Sequence, residues 1–340
     1  MNRRAFIKSL GLSSAVLLVP CRTGAWPSAG SPLVRRHQFH MGTTIELILT
    51  GEEYGRETVV RSFDALSEID RLLSVHQSTS ELSQVNYNSG KWHEVSPHFN
   101  RVASTARRIG EMTGGAFDVT VLPVMRHWGF YDADSPGQDA SKSRRSLRSI
   151  LEQVDFRQLQ VKGREARVAS SGYSADFGGI AKGYGVDRAV RALRDQNVRC
   201  VLVSAGGDIF ALGRPAPNRL WRVGIRSPYR PDALCAMVEL EDEAIATAGG
   251  YENYRIAQGR RIAHILNPRL GVSSDHVLSA TIIAPDTMTA DALATATYIM
   301  GVEDSLRLLD DMPHVEGVWI DRRGQVTCTP YIKNRLQIVG

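Results

Sequence analysis

Cysteine is scarce in this chain. Its 340 residues include Cys21, Cys200, Cys235 and Cys328, scattered and without C-x-x-C spacing. That excludes a disulfide framework and a cysteine zinc site. Cys200 opens an apolar stretch and reads as a core residue. Long apolar runs are missing as well: no stretch after residue 25 is long enough to cross a bilayer. Excess charge of one sign is nearly absent. The chain carries +5, and four of its bases, Arg3, Arg4, Lys8 and Arg22, fall within the first 25 residues, where there is no acid. The remainder therefore carries +1. A nucleic-acid partner would need a basic stripe and is set aside. The cluster Lys142-Ser143-Arg144-Arg145-Ser146-Leu147-Arg148 reads as a solvated helix face. Internal repeats and low-complexity linkers are also lacking. Residues 31–340, roughly 310 of them, suffice for one large domain or two intimate ones.

What is present begins with Asn2-Arg3-Arg4-Ala5-Phe6-Ile7-Lys8 and an apolar run from Leu10 to Val19. A charged segment before a short apolar one has the form of an export signal. The arginine pair followed by Phe-Ile-Lys resembles the twin-arginine type; an ordinary Sec signal is the alternative. Small residues Thr23-Gly24-Ala25 place cleavage after Ala25, so residues 1–25 read as signal and the mature protein as periplasmic. Cys21 offers lipid attachment instead, but Pro20 before it fits that poorly.

Residues 31–50 read as a strand, with Ile45, Leu47 and Leu49 alternating. Val59, Phe63, Leu66, Ile69 and Leu73 follow helical spacing. Ser96-Pro97 starts a helix that Gly114-Gly115 stops. Val119 to His127 reads as a short helix broken by Pro123, and residues 132–143 as a surface loop. Val186, Ala189, Val190 and Leu193 form a helical stripe. Cys200 to Ser204 is a buried strand. Strands at 209–213, 221–226, 236–241, 244–247, 278–284 and 315–320 follow, with helices from Met288 to Met300 and at 303–310. Helices and strands mix without strict alternation, which predicts an α+β fold of mixed sheets with packed helices.

Several segments carry chemistry. Asp176-Phe177-Gly178-Gly179-Ile180-Ala181-Lys182-Gly183-Tyr184-Gly185-Val186-Asp187 runs from a glycine turn into a helix. Unpaired N–H groups at a helix N-terminus suit phosphate, and the acid and lysine beside them point to a nucleotide. The spacing fits neither the P-loop nor G-x-G-x-x-G. Asp291 and Thr295, four apart, project oxygens from one helix face. Hard oxygens suit Mg²⁺, while helix capping by Asp286, Thr287 or Thr289 is the blander account of that segment. His264 before Asn267-Pro268 is either a general base or a structural histidine. Thr113-Gly114-Gly115-Ala116-Phe117-Asp118 reads as a helix stop. Ser204-Ala205-Gly206-Gly207-Asp208 reads as a tight hairpin or as a ligand position at a strand end.

Taken in order, these pieces resemble the ApbE family of FAD:protein FMN transferases. The matching stretches are Met41-Gly42-Thr43, Ser80 to Asn86, Thr113 to Asp118, Asp176 to Asp187, Ser204 to Asp208, Ala246 to Tyr254, His264 to Pro268 and Ala284 to Thr295. They span about residues 38 to 320. The resemblance implies an ApbE-like fold and transfer of FMN from FAD to a Thr or Ser hydroxyl of a partner flavoprotein, with AMP leaving and Mg²⁺ required. It implies FAD contacts at Met41, Ala116, Phe117, Asp118, Asp176, Lys182 and Leu266. His76 is a further candidate contact, standing where the family usually has tyrosine. Mg²⁺ would be held by Asp291, Thr295 and the backbone carbonyl of Gly179; the family often has another acid where this chain has Ala294. His264 would take the acceptor's proton. The implied acceptors are membrane-anchored respiratory flavoproteins of NosR-like, Nqr-like or Rnf-like type. Two alternatives stand beside this: a Mg²⁺-dependent FAD pyrophosphatase, and a non-enzymatic periplasmic flavin-binding protein. A dehydrogenase would need different glycine spacing.

Overall fold

Period-two alternation decides how this chain layers. Along the strand Thr43–Thr50, Ile45, Leu47 and Leu49 are buried in one core while Ile48 is buried in another. The same split recurs at Val201 and Val203 against Leu202, and at Ala280 and Ile282 against Ile283. Strands apolar on both sides must be covered on both sides. The computed structural model, which describes residues 16–18, 33–50, 54–131, 144–230, 232–251, 253–257 and 259–339, shows both covers.

The central sheet is antiparallel and eight-stranded. Its order is Val326–Cys328, Glu316–Ile320, Ser279–Ala284, Glu243–Gly249, Asp208–Leu212, Val201–Ala205, Thr43–Thr50 and Leu33–His40. Ile48, Leu202, Ile209, Ile245 and Ile283 on one face pack against Trp221, Val223, Ile225, Ala236 and Val238. These last belong to a four-stranded sheet ordered Val16–Leu18, Trp221–Arg226, Leu234–Leu240 and Leu336–Ile338. The helices Arg56–Leu73, Ala181–Arg194 and Thr287–Met300 contribute Phe63, Leu66, Val186, Val190, Leu293 and Ala296 to the core on the other face. The α+β class holds, and so does a core position for Cys200.

Several expectations need correction. The stretch read as one strand over 31–50 holds two, Leu33–His40 and Thr43–Thr50. They turn at Met41 and Gly42, both at positive φ (52° and 73°), and pair from Leu33↔Thr50 to His40↔Thr43. Pro123 does not break a helix; it lies in the first turn of the helix Leu122–His127, after a short 3₁₀ segment Val119–Val121. There the missing N–H costs nothing. A helix Glu81–Tyr87, capped by Ser80, and a hairpin Tyr254–Ala257 with Arg260–Ala263 were not foreseen. The helix starting at Pro97 is capped by Ser96, ends at Met112 and is followed by Gly114 and Gly115 at positive φ. Arg148 lies exposed on the helix Arg144–Leu151. Residues 1–15, 19–25 and 132–143, with the proposed signal's arginines, Cys21 and the surface loop, lie outside the described residues. Val16–Leu18 fall within the apolar run read as signal, and their backbone pairs with Val223–Ile225.

Two helices cross unusually closely at Gly183. A Cβ there would lie 2.3 Å from the Thr287 carbonyl oxygen and 2.9 Å from Asp291 Cβ. Backbone cannot yield as a flexible side chain can, so Gly183→Ala should force the helices apart. Overpacking of this kind costs about 1–3 kcal/mol. Urea unfolding should show a loss in that range; a loss under about 0.5 kcal/mol, the scale of an inconsequential substitution, would mean the crossing is not tight.

Candidate functional site

The helix crossing carries the chemistry. Asp187 reaches across it, its carboxylate accepting from Thr287 N–H at 2.7 Å and Met288 N–H at 2.9 Å. Such a cap contributes on the order of 1 kcal/mol and fixes the start of the second helix. Asp286 caps the same turn through Thr289 N–H at 2.8 Å. Capping and display of Asp291 thus coexist, because different acids do each. Burial, reinforced by the nearby Asp286 charge, pushes the Asp187 carboxyl up to about 7.

One turn along, Lys182 lies between two buried carboxylates. Its Nζ is 2.7 Å from Asp208 Oδ2 and 3.4 Å from Asp291 Oδ2. Gly183 N–H also donates to Asp291 Oδ2 at 3.0 Å. Burial alone would favour the neutral amine, but the charges of Asp208 and then Asp291 outweigh it and hold the pKa above the usual lysine value. Asp208 sits at the end of the Gly206-Gly207 hairpin turn, paired with Ala205. The hairpin reading was right, yet the turn also delivers the acid that neutralises Lys182.

These groups floor a cleft of about 330 Å³. His76, Ala116, Phe117, Asp118, Asp176, Gly179, Lys182, His264, Leu266, Asp291 and Thr295 all line it. Met41 does not. It occupies the hairpin turn, where its N–H donates to Asp70 Oδ2 at 3.2 Å and its sulfur packs close to Gly185.

Asp118 lines the cleft while bonding inward. Oδ1 accepts from Thr120 N–H at 2.7 Å and Thr120 Oγ1 at 2.6 Å, and Oδ2 from Phe156 N–H at 2.9 Å. Burial raises its pKa to about 6, against the pull of those bonds. It shapes the wall beside Phe117 rather than serving merely as a helix stop. Asp176 accepts from Gly178 N–H at 3.0 Å and from the Tyr131 hydroxyl.

His264 faces the same cleft. Its Nδ1 lies 3.0 Å from the Asn253 carbonyl oxygen. A carbonyl only accepts, so Nδ1 carries the hydrogen and the neutral ring keeps its lone pair on Nε2. Burial, aided by the Lys182 charge, lowers the His264 pKa, while the Asn253 bond partly opposes this. The ring is therefore a neutral, oriented proton acceptor.

Gly179 and Thr295 face each other: a Cβ on Gly179 would lie 3.3 Å from Thr295 Oγ1. With Asp291 they gather oxygen donors of three kinds: carboxylate, hydroxyl and backbone carbonyl. No group of three His, Cys, Asp or Glu side chains with metal-binding geometry occurs among the described residues. Any cation here would draw on the hydroxyl and the carbonyl as well.

Sequence reasoning offered the Ser204–Asp208 turn as a ligand position without singling out Asp208, and missed Asn253 and Tyr131 as parts of this site. Asp208 had a signal, an acid closing a glycine hairpin at a strand end. Asn253 acts through its backbone and left none. Tyr131 follows the Trp128-Gly129-Phe130 turn, which no pattern marks.

Fold and cleft together bring a lysine-tipped helix and an oriented histidine to one site. The match to known proteins gives the class: the ApbE family model fits residues 41–319, and the chain belongs to that family. The FAD:protein FMN transferase of Haemophilus influenzae is 31% identical over 252 residues, 72% of this chain and 73% of its own. That of Salmonella typhimurium is 28% identical over 317 residues, 88% of each chain. Among solved structures, the ApbE protein of Thermotoga maritima superposes with a TM-score of 0.80 at 27% identity, covering 89% of this chain and 99% of that one. The flavin transferase ApbE of Vibrio cholerae gives 0.79 at 28%, covering 89% and 100%.

Removing the Lys182 charge should expose what it holds together. Lys182→Met leaves Asp208 and Asp291 buried and facing each other. Breaking a buried pair costs about 3–5 kcal/mol; with the lysine side chain 29% exposed, about 2–3 kcal/mol is expected at pH 7. A carboxylate left this way has a raised folded pKa, so its penalty appears as pH rises and is relieved as pH falls. Unfolding at pH 7 and pH 5 should show the deficit shrinking at the lower pH. An unchanged deficit would contradict the arrangement.

Proposed function

We propose that this chain is an FAD:protein FMN transferase, moving FMN from FAD to a Thr or Ser hydroxyl of a partner flavoprotein and releasing AMP. The observation that carries this reading is His264. Its Nδ1–H is tied to the Asn253 carbonyl, its Nε2 has no hydrogen-bond partner among the described residues, and it shares one cleft with Lys182 and Asp291.

The chemistry follows from those positions. The acceptor oxygen attacks the phosphorus on the FMN side of the pyrophosphate, and the bond from that phosphorus to the bridging oxygen breaks. AMP departs with that oxygen, and the hydroxyl proton passes to His264 Nε2. The N-terminus of the helix Ala181–Arg194 and the Lys182 ammonium supply positive potential for the phosphates. Phe117, Leu266 and the wall held by Asp118 exclude water from the flavin side. Phosphoryl transfer asks mainly for such positioning and charge neutralisation.

The oxygen donors of Asp291, Thr295 and the Gly179 carbonyl fit Mg²⁺. When bound there, the ion would neutralise charge on the pyrophosphate. Ala294 lines the cleft with only a methyl group, so water would fill the coordination place that an acid fills elsewhere. Export is proposed from Arg3-Arg4 and the apolar run, by the twin-arginine route to the periplasm, with a membrane-anchored respiratory flavoprotein as acceptor.

The reading is tested by intact-mass measurement of a candidate acceptor domain after incubation with the protein, FAD and Mg²⁺. The acceptor should gain the mass of FMN. Free FMN beside an unmodified acceptor would mean hydrolysis instead, and no release of AMP would mean a flavin carrier.

His264→Ala is expected to slow transfer by about 10²–10⁴-fold, the usual contribution of a positioned base, while FAD binding stays within about twofold. Unchanged transfer would remove His264 from the mechanism. The acid limb of the rate profile should have its midpoint below 6.5, the ordinary histidine value, because burial keeps the ring neutral further into acid. A midpoint above 6.5 would contradict that assignment.

A further inference from the structure

Tyr131 and His76 meet on the cleft wall. Their ring centroids are 5.1 Å apart and their planes are inclined by 36°. Both rings line the cleft that holds Lys182 and His264. They reach it from separate places: His76 follows the helix Arg56–Leu73, and Tyr131 ends the turn after the helix Leu122–His127. That turn is anchored. Trp128 Nε1–H donates to the Gly271 carbonyl at 2.6 Å, and Phe130 N–H to the Met125 carbonyl at 3.1 Å. Phe130 and Trp128 pack with Val124, Ile262 and Leu266.

The phenol is also tied down. Tyr131 Oη donates to Asp176 Oδ2, while Asp176 N–H donates to the Val119 carbonyl at 2.7 Å. Burial, then the Asp176 charge, raises the phenol's pKa, so it stays a neutral donor. The hydrogen bond leaves the ring little freedom to turn. His76 is different. It is exposed at the rim, and its imidazole offers a smaller face. In this chain the broad aromatic surface at this wall is on Tyr131.

Resting on the transferase reading above, we infer that Tyr131 is a positioning residue for FAD: it provides the stacking face that His76 lacks and fixes the Asp176 carboxylate beneath the dinucleotide. A ring held by a buried hydrogen bond loses little freedom on binding, so its contact turns into affinity with small entropic loss. The ring system it serves is an aromatic heterocycle, either the isoalloxazine or the adenine.

Equilibrium binding without acceptor separates the possibilities. Wild type, Tyr131→Ala, Tyr131→Phe and the double variant His76→Tyr/Tyr131→Ala are titrated with FAD by flavin fluorescence and calorimetry. Tyr131→Ala should weaken binding about tenfold or more, the range of one lost stacking partner, and reduce quenching of flavin emission. Tyr131→Phe keeps the face and loses only the bond to Asp176, so about threefold is expected, within the range of one hydrogen bond. The double variant should regain most of the affinity. Repeating the series with FMN and with ADP assigns the ring: a Tyr131→Ala loss confined to FMN places the isoalloxazine on Tyr131, and one confined to ADP places the adenine there. Unchanged FAD affinity in a Tyr131→Ala protein with native circular dichroism overturns the inference and leaves the transferase reading intact. Failure of the wild type to bind FAD would instead overturn that reading.

Discussion

The site depends on one contact, the crossing of the helices Ala181–Arg194 and Thr287–Met300 at Gly183. With no side chain there, the Thr287 carbonyl and Asp291 Cβ approach to distances a Cβ would forbid. Only at that separation can Asp187 cap the second helix and Lys182 bridge Asp208 and Asp291. A larger residue would separate the lysine from the acid that keeps it charged. The glycines in this segment thus serve helix packing at least as much as the ligand.

From that crossing the remaining site is built by long-range placement. The Gly206-Gly207 hairpin brings Asp208 from the central sheet, and the hairpin of Tyr254–Ala257 with Arg260–Ala263 leads into His264 at the same cleft. One ammonium, that of Lys182, faces two carboxylates, Asp208 and Asp291, before any ligand arrives. Lys182 is held by acids, while His264, half-buried near that lysine, stays neutral. Two carboxylates around one ammonium favour a cation beside an anionic ligand, and a neutral base is suited to removing a proton.

Much of the layering was legible in the sequence because the alternation at Ile45-Leu47-Leu49 and at Val201-Leu202-Val203 is local. The second sheet was not. Its strands at 221–226 and 236–241 were readable, but their stacking on Ile48 and Ile283 is a partnership between distant segments. The first hairpin read as one strand because its turn rests on Met41 at positive φ, which few non-glycine residues adopt. Met41, for which the resemblance implied a ligand contact, lies in that turn with its sulfur close to Gly185. Asp176, Lys182, His264, Asp291 and Thr295 were legible as chemistry, and the structure brings them to one cleft. Asn253 was not, since a backbone carbonyl does its work. Tyr131 was not, since its neighbour in space, His76, is 55 positions away in sequence.

The central claim is that this one cleft, between the Lys182 helix and His264, holds the pyrophosphate whose bond is broken. A crystal structure of the His264→Ala protein with FAD and Mg²⁺ tests it most directly. The account predicts the pyrophosphate between Lys182 and the position vacated by the imidazole, with an ion at Asp291 and Thr295. FAD bound with its pyrophosphate away from both Lys182 and residue 264 would contradict it.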